Sequence, residues 1–221
     1  MNTFIERIEK LRTSIAEACE MNGRNPKHVE LLPVSKHQQL TTIQEAATLG
    51  FTKFGENYVQ EAVQKFNGAQ NLEFVLIGPL QNNKSKQALI TFQEIMTIDR
   101  LTQVERLGKI AEQLNITRAV WIQVNPWGES TKSCGCSIPE IEILLQALTK
   151  NPHLPIKGFM AIPPPMNIQA FHTMASLRHD WQQRLGKRLL LSMGMSADFS
   201  EAIKYGSDQI RVGTAFFGTR P

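Results

Sequence analysis

Two hydrophobic periods alternate along the chain: short apolar runs recur between longer stretches whose apolar positions fall three and four residues apart. The short runs lie at 29–35, 52–55, 73–77, 95–98, 119–125, 156–160, 189–192 and 209–212, eight predicted strands. Helices are predicted near 40–49, 57–67, 84–92, 100–114, 138–149, 167–185 and 197–205, one in each interval between strands. A further amphipathic helix at 2–22 precedes the first strand and is stopped by Asn22-Gly23 and Asn25-Pro26. Ser137 before Ile138-Pro139-Glu140 predicts a Ser N-cap with an acid in the first turn, and Asn82 is expected to cap the helix at 84–92.

Parallel neighbours require a crossover, and a helix is the usual one, so this alternation predicts an α/β fold with a parallel sheet. Eight units, with no GxGxxG after the first strand, favour closure over an open doubly wound sheet. The expectation is a single (β/α)8 TIM barrel with an extra N-terminal helix, residues 1–221 forming one domain. Pro163-Pro164-Pro165 reads as a loop after the sixth strand.

Composition narrows the function classes. With 42% apolar and 20% charged residues the chain reads as soluble, and no apolar run is long enough to cross a bilayer. The first twelve residues lack the apolar block of a signal peptide, so a cytoplasmic, monomeric protein is expected. The net charge of +4 comes without a basic run, which gives no support for nucleic-acid binding but permits a small anionic ligand. Cys19, Cys134 and Cys136 form neither an even framework nor a CxxC pair and are read as reduced thiols. His28, His37, His153, His172 and His179 show no metal-binding spacing, so no metal is expected.

In a barrel of this class the active face lies at the carboxyl ends of the strands, which singles out polar residues ending an apolar strand. Lys36 follows the first strand. Burial, and a neighbouring cation such as Arg211, would enlarge the neutral fraction of its amine and let it attack an aldehyde, although by position alone a surface lysine is the plainer explanation. A separate signal comes from Gly213-Thr214, which open a short turn at 215–218 whose free N–H groups, with Ser192 and Gly194, would cradle a phosphate. Tight-turn geometry is the bland account of Gly213 and Gly218. Trp121, Trp127, Trp181, Met193 and Met195 are read as packing residues.

Seven motifs occur in order: Leu32-Pro33-Val34-Ser35-Lys36, Phe54-Gly55-Glu56-Asn57-Tyr58-Val59-Gln60-Glu61, Ile77-Gly78-Pro79-Leu80-Gln81-Asn82-Asn83-Lys84, Thr97-Ile98-Asp99-Arg100, Gly158-Phe159-Met160-Ala161-Ile162-Pro163, Leu191-Ser192-Met193-Gly194-Met195-Ser196 and Arg211-Val212-Gly213-Thr214-Ala215-Phe216-Phe217-Gly218. Together they resemble the YggS/PROSC family of pyridoxal 5'-phosphate (PLP) homeostasis proteins over essentially the whole chain. The family is similar to the N-terminal barrel domain of alanine racemase, the fold type III arrangement of PLP proteins. The resemblance implies that Lys36 carries PLP as an internal aldimine and that Ser192, Gly213 and Thr214 hold its phosphate. It places Arg211 beside the ring nitrogen or the phosphate, and Asn57, Ile77, Met160 and Met193 around the ring. Two departures stand out: Val75 replaces a histidine common in the family, and the family's Lys-Ser-Gly after the fifth strand becomes Lys132-Ser133-Cys134-Gly135-Cys136.

Bond cleavage beside a substrate nitrogen needs an electron sink, a positioned proton donor or acceptor and a carboxylate site. An arginine at the ring nitrogen would weaken the sink. Neither Tyr58 nor Tyr205 has the motif of a catalytic base, and no second domain like that of alanine racemase is expected beside the barrel. The expectation is a PLP-holding protein that buffers or delivers the cofactor, with apo-PLP enzymes or a regulatory protein as possible partners. The alternatives are a PLP-dependent racemase and, more remotely, a Schiff-base aldolase.

Overall fold

A computed structural model of the chain describes residues 3–69, 71–127, 134–164 and 167–218. In chain order the elements begin α1 (Phe4–Glu20), β1 (Glu30–Pro33), α2 (Leu40–Thr48), β2 (Lys53–Glu56), α3 (Val59–Phe66), β3 (Glu73–Leu76) and α4 (Ser85–Thr91). They continue β4 (Glu94–Ile98), α5 (Leu101–Leu114), β5 (Ala119–Gln123), α6 (Glu140–Thr149) and β6 (Ile156–Met160). The last are α7 (Ile168–Leu185), β7 (Leu190–Ser192), α8 (Phe199–Lys204), β8 (Gln209–Val212) and α9 (Thr214–Phe217). The chain divides into two compact units, Ser35–Ala161 and the combination of Met1–Val34 with Ile162–Pro221.

In the Ser35–Ala161 unit the strands run in the order β2-β3-β4-β5-β6, all pairs parallel. Parallel strands are covered on both faces, which is why β4 reads as an uninterrupted buried run. At the amino ends of these strands one carboxylate collects three donors: Glu94 accepts from Lys53 Nζ at 2.9 Å, Lys157 Nζ at 2.7 Å and the indole of Trp121 at 2.8 Å. Burial pushes the Glu94 carboxyl up, but the hydrogen bond from Lys157, the charges of both lysines and the indole outweigh it and hold it below its ordinary value.

In the other unit β1 pairs with β8, Glu30 opposite Gln209 through Pro33 opposite Val212, and β8 pairs with β7. The predicted N-terminal helix is α1, started by a Thr3–Glu6 capping box and burying Ile8, Leu11, Ile15 and Ala18 at helical spacing. Phe4 meets Phe216 edge-on at 5.6 Å, and the Arg7 guanidinium donates to the Phe216 and Phe217 carbonyls at the end of α9. Asp208 gathers Arg178 at 2.9 Å and Arg188 at 3.3 Å and accepts the Leu191 N–H, tying α7 to the start of β7.

The limits of β6 and β8 coincide with the sequence reading. β1 ends at Pro33 rather than residue 35 because the Ser35 N–H turns to the Gly55 carbonyl at 2.9 Å. Neither expected cap forms. Ser137 lies outside α6, whose N-cap is Pro139, and its N–H and hydroxyl both donate to Glu140 at 2.7 Å. Asn82 opens a 3-10 turn, Asn82–Lys84, and offers its carbonyl to the Ser85 hydroxyl, so α4 starts without a side-chain cap. That turn and its counterpart at Pro26–His28 are too short to leave a periodic trace. Pro165, Lys132 and Ser133 lie outside the described residues. Among the described residues no helix is long and apolar enough to cross a membrane.

Candidate functional site

Functional side chains are sought where strands end at their carboxyl side. In the Ser35–Ala161 unit the turn after β1 carries Ser35, fully buried, then Lys36, half-buried, then His37, exposed with a left-handed φ of 62°. Around them lies a charged cluster. Glu56, the last residue of β2, is fully buried and accepts from the Ser35 hydroxyl at 2.6 Å and from Lys65 Nζ at 2.6 Å. Lys65 also donates to the Ser35 carbonyl at 2.6 Å and to Glu61 at 2.8 Å, and Glu61 accepts the His37 N–H. Burial pushes the Glu56 carboxyl up, opposed by the charge and hydrogen bond of Lys65 and the bond from Ser35.

Beyond β2, Asn57 is half-buried and its Oδ1 has no hydrogen-bond partner among the described residues. Its backbone is pressed against Gly78, where an added Cβ would stand 2.1 Å from the Asn57 carbonyl oxygen, so only glycine fits. Ile77 is half-buried and hydrogen-bonded to Glu56 through its N–H at 2.9 Å, and Met160 is fully buried at the end of β6. Cys136, the last residue of the altered segment, is held by paired backbone bonds, Cys136 N–H to Gln123 and Asn125 N–H to Cys136, both 2.9 Å. Burial pushes the Cys136 thiol up to about 12, so it stays a protonated thiol at neutral pH.

In the other unit Ser192, the last residue of β7, stands opposite Gln209, the first of β8. Its buried hydroxyl accepts from Arg211 Nη1 at 2.7 Å and donates to Gln209 Oε1 at 2.9 Å, and Gln209 in turn donates to Glu30 at 2.9 Å. Burial brings the Arg211 guanidinium down to about 10, against the charge of Asp198, which leaves it protonated at neutral pH. Met193 is fully buried. Gly213 precedes α9 and its carbonyl accepts the Phe216 and Phe217 N–H groups at 3.0 and 2.8 Å, while the Ala215 N–H reaches the Ser196 hydroxyl at 3.3 Å. An added Cβ at Gly213 would meet only Val34 at 3.7 Å, so packing does not demand glycine there. At Gly194 it does: φ is 92° and a Cβ would lie 2.5 Å from that of Ala202. Thr214 is exposed.

Every site residue expected from sequence is thus described, Lys36, Asn57, Ile77 and Met160 in one unit and Ser192, Met193, Arg211, Gly213 and Thr214 in the other. Sequence reasoning missed the roles of Lys65, Glu61 and Gln209. Lys65 was detectable: it stands on the apolar stripe of α3 with Val59 and Ala62, four residues after Glu61. The donor set fits a phosphorylated aldehyde. In one unit the buried Arg211 guanidinium suits an anion; in the other Lys36 supplies a primary amine, and the Asn57 oxygen, unpaired among the described residues, suits a ligand donor.

Residues 10–221 match the family described as alanine racemase, N-terminal domain. The chain is 37% identical over 230 residues to a pyridoxal phosphate homeostasis protein of Pseudomonas aeruginosa, covering 100% of this chain and 97% of that protein. A protein of the same name from Escherichia coli is 37% identical over 237 residues, covering 100% and 98%. Among solved structures, PipY of Synechococcus elongatus without PLP superposes with a TM-score of 0.83 at 33% identity, covering 92% of this chain and all of that one. With PLP bound, PipY superposes with a TM-score of 0.81. A Clostridium difficile alanine racemase has a TM-score of 0.75 at 12% identity over 95% of this chain and 58% of its own, a likeness of fold alone. With eight parallel strands and alternating helices, these likenesses show a (β/α)8 TIM barrel of the alanine racemase N-terminal type.

Proposed function

The chain belongs to the alanine racemase N-terminal domain family and, within it, to the pyridoxal phosphate homeostasis proteins, and from that premise we propose that it holds PLP covalently on Lys36 and buffers or delivers it. The observation that carries this reading is Lys36 itself, a half-buried lysine in the turn that follows β1 in a chain of this family. Bound PLP supplies an aldehyde open to amines and a ring that withdraws electrons. The residues of the chain decide how far that chemistry goes.

We assign the phosphate to Ser192, Gly213 and Thr214 and the ring surroundings to Asn57, Ile77, Met160 and Met193. Arg211 is assigned to the phosphate or the ring nitrogen. Its guanidinium has donors only and stays protonated at neutral pH, so beside the ring nitrogen it favours an unprotonated ring and weak electron withdrawal. That suits a carrier better than an enzyme of rapid turnover. We assign no catalytic role to Tyr58, exposed at 50%, or to Tyr205, stacked on Phe171 at 6.5 Å. A cytoplasmic monomer passing its cofactor to apo-PLP enzymes, and so steadying vitamin B6 and amino-acid pools, completes the proposal.

The test is to mix the PLP-loaded protein with amino acids in deuterated water. The expected result is a spectral change as the incoming amine displaces Lys36, without sustained deuterium incorporation at the α-carbon. Sustained, Lys36-dependent exchange would identify a racemase instead.

A further inference from the structure

We infer that Glu61 and Lys65 of α3 are positioning residues that clamp the backbone on both sides of Lys36. The inference rests on the reading of Lys36 as the attachment amine and adds how that amine is held in place.

A lysine side chain is long and flexible, so the placement of its amine starts with the backbone that bears it. Lys36 lies past the last paired residue of β1, in a turn, where no ladder fixes it. The next residue, His37, has a φ of 62°, a left-handed conformation that costs a residue with a Cβ free energy and persists where surroundings impose it. Two side chains one helical turn apart impose it. Lys65 Nζ donates to the carbonyl of Ser35, the residue before Lys36, at 2.6 Å. Glu61 accepts the N–H of His37, the residue after Lys36. The two grips are joined to each other at 2.8 Å and anchored to β2 through Glu56, which also takes the Ser35 hydroxyl.

The same cluster separates the two lysines chemically. The three ammonium protons of Lys65 meet three acceptors, Ser35 O, Glu56 Oε1 and Glu61 Oε1, so all its donor capacity is spent within the cluster. Lys36 enters no ion pair among the described residues. A buried ion pair is poor value as general adhesive, since apolar packing of similar volume stabilises as well or better. This one is aimed at the two main-chain groups that flank a single residue.

The test compares the full-length wild type with Glu61→Ala and Glu61→Gln. Hydrogen–deuterium exchange at the His37 amide is measured without cofactor, the rate of PLP release after loading, and the thermal midpoint of each. In Glu61→Ala we expect His37 exchange and PLP release each about tenfold faster, the size of one lost charge-assisted hydrogen bond, with little change in midpoint. Glu61→Gln keeps an oxygen able to accept the His37 N–H and is expected to restore most of both. Wild-type exchange and release in Glu61→Ala would overturn the inference, as would exchange raised equally throughout α3 with a lowered midpoint, the mark of a merely structural pair. Failure of wild type to take up PLP would instead remove the functional reading, while the cofactor-free exchange still decides whether the clamp exists.

Discussion

The hydroxyl of Ser192 has one proton, and the fold already directs it to Gln209, leaving its oxygen to accept from Arg211. Replacing Ser192 with Ala removes an acceptor from the buried Arg211 guanidinium and a donor from the buried Gln209 amide oxygen, a loss of about 1–3 kcal/mol for groups left unsatisfied in the interior. Urea denaturation of Ser192→Ala should show it as a lower midpoint with an unchanged slope. Lys36, Ser192 and Arg211 were legible in the sequence because each interrupts an apolar strand near its carboxyl end. Gln209 and Glu30, which orient Ser192, were not. Their pairing follows from the β1–β8 register, which a single strand does not encode. Nor could the sequence show that Lys65 saturates its donors, since its three acceptors come from a turn, a strand and a helix.

At the scale of elements, the alternation of two hydrophobic periods located every strand among the described residues, while caps and short turns escaped it because they depend on individual hydrogen bonds. Gly194 shows the cost of an element joint. It lets the chain leave β7 at a positive φ directly against Ala202 of α8. Gly194→Ala is expected to lose about 1–3 kcal/mol from strained backbone, before counting the Cβ contact, and thermal unfolding would register it. The Glu94 cluster joining β2, β4, β5 and β6 makes the fold acid-sensitive. Its folded carboxyl titrates below the ordinary value of 4.5, so its stabilisation is complete above the unfolded value and is lost as pH falls through the folded one. Glu94→Gln should therefore show a shallower decline of stability than wild type as pH falls below about 4.5, measured by denaturant midpoints at each pH. An equal slope would place the acid sensitivity elsewhere.

For the molecule as a whole, the fold class was legible because eight strand–helix alternations leave few topologies, and the seven ordered motifs indicated the family. The grouping of residues into two compact units was not, because contact density is a property of the folded chain. Two attachments are proposed for one ligand, an amine for its aldehyde and a set of donors for its phosphate, and they can be separated by mutation. The decisive measurement is the visible absorbance of purified, PLP-reconstituted wild type beside Lys36→Ala, each reduced with borohydride and mapped by peptide mass. The account predicts a visible band and a reduced PLP adduct on the Lys36 peptide of wild type, with neither in Lys36→Ala. A colourless wild type, or an adduct on another lysine, would contradict it.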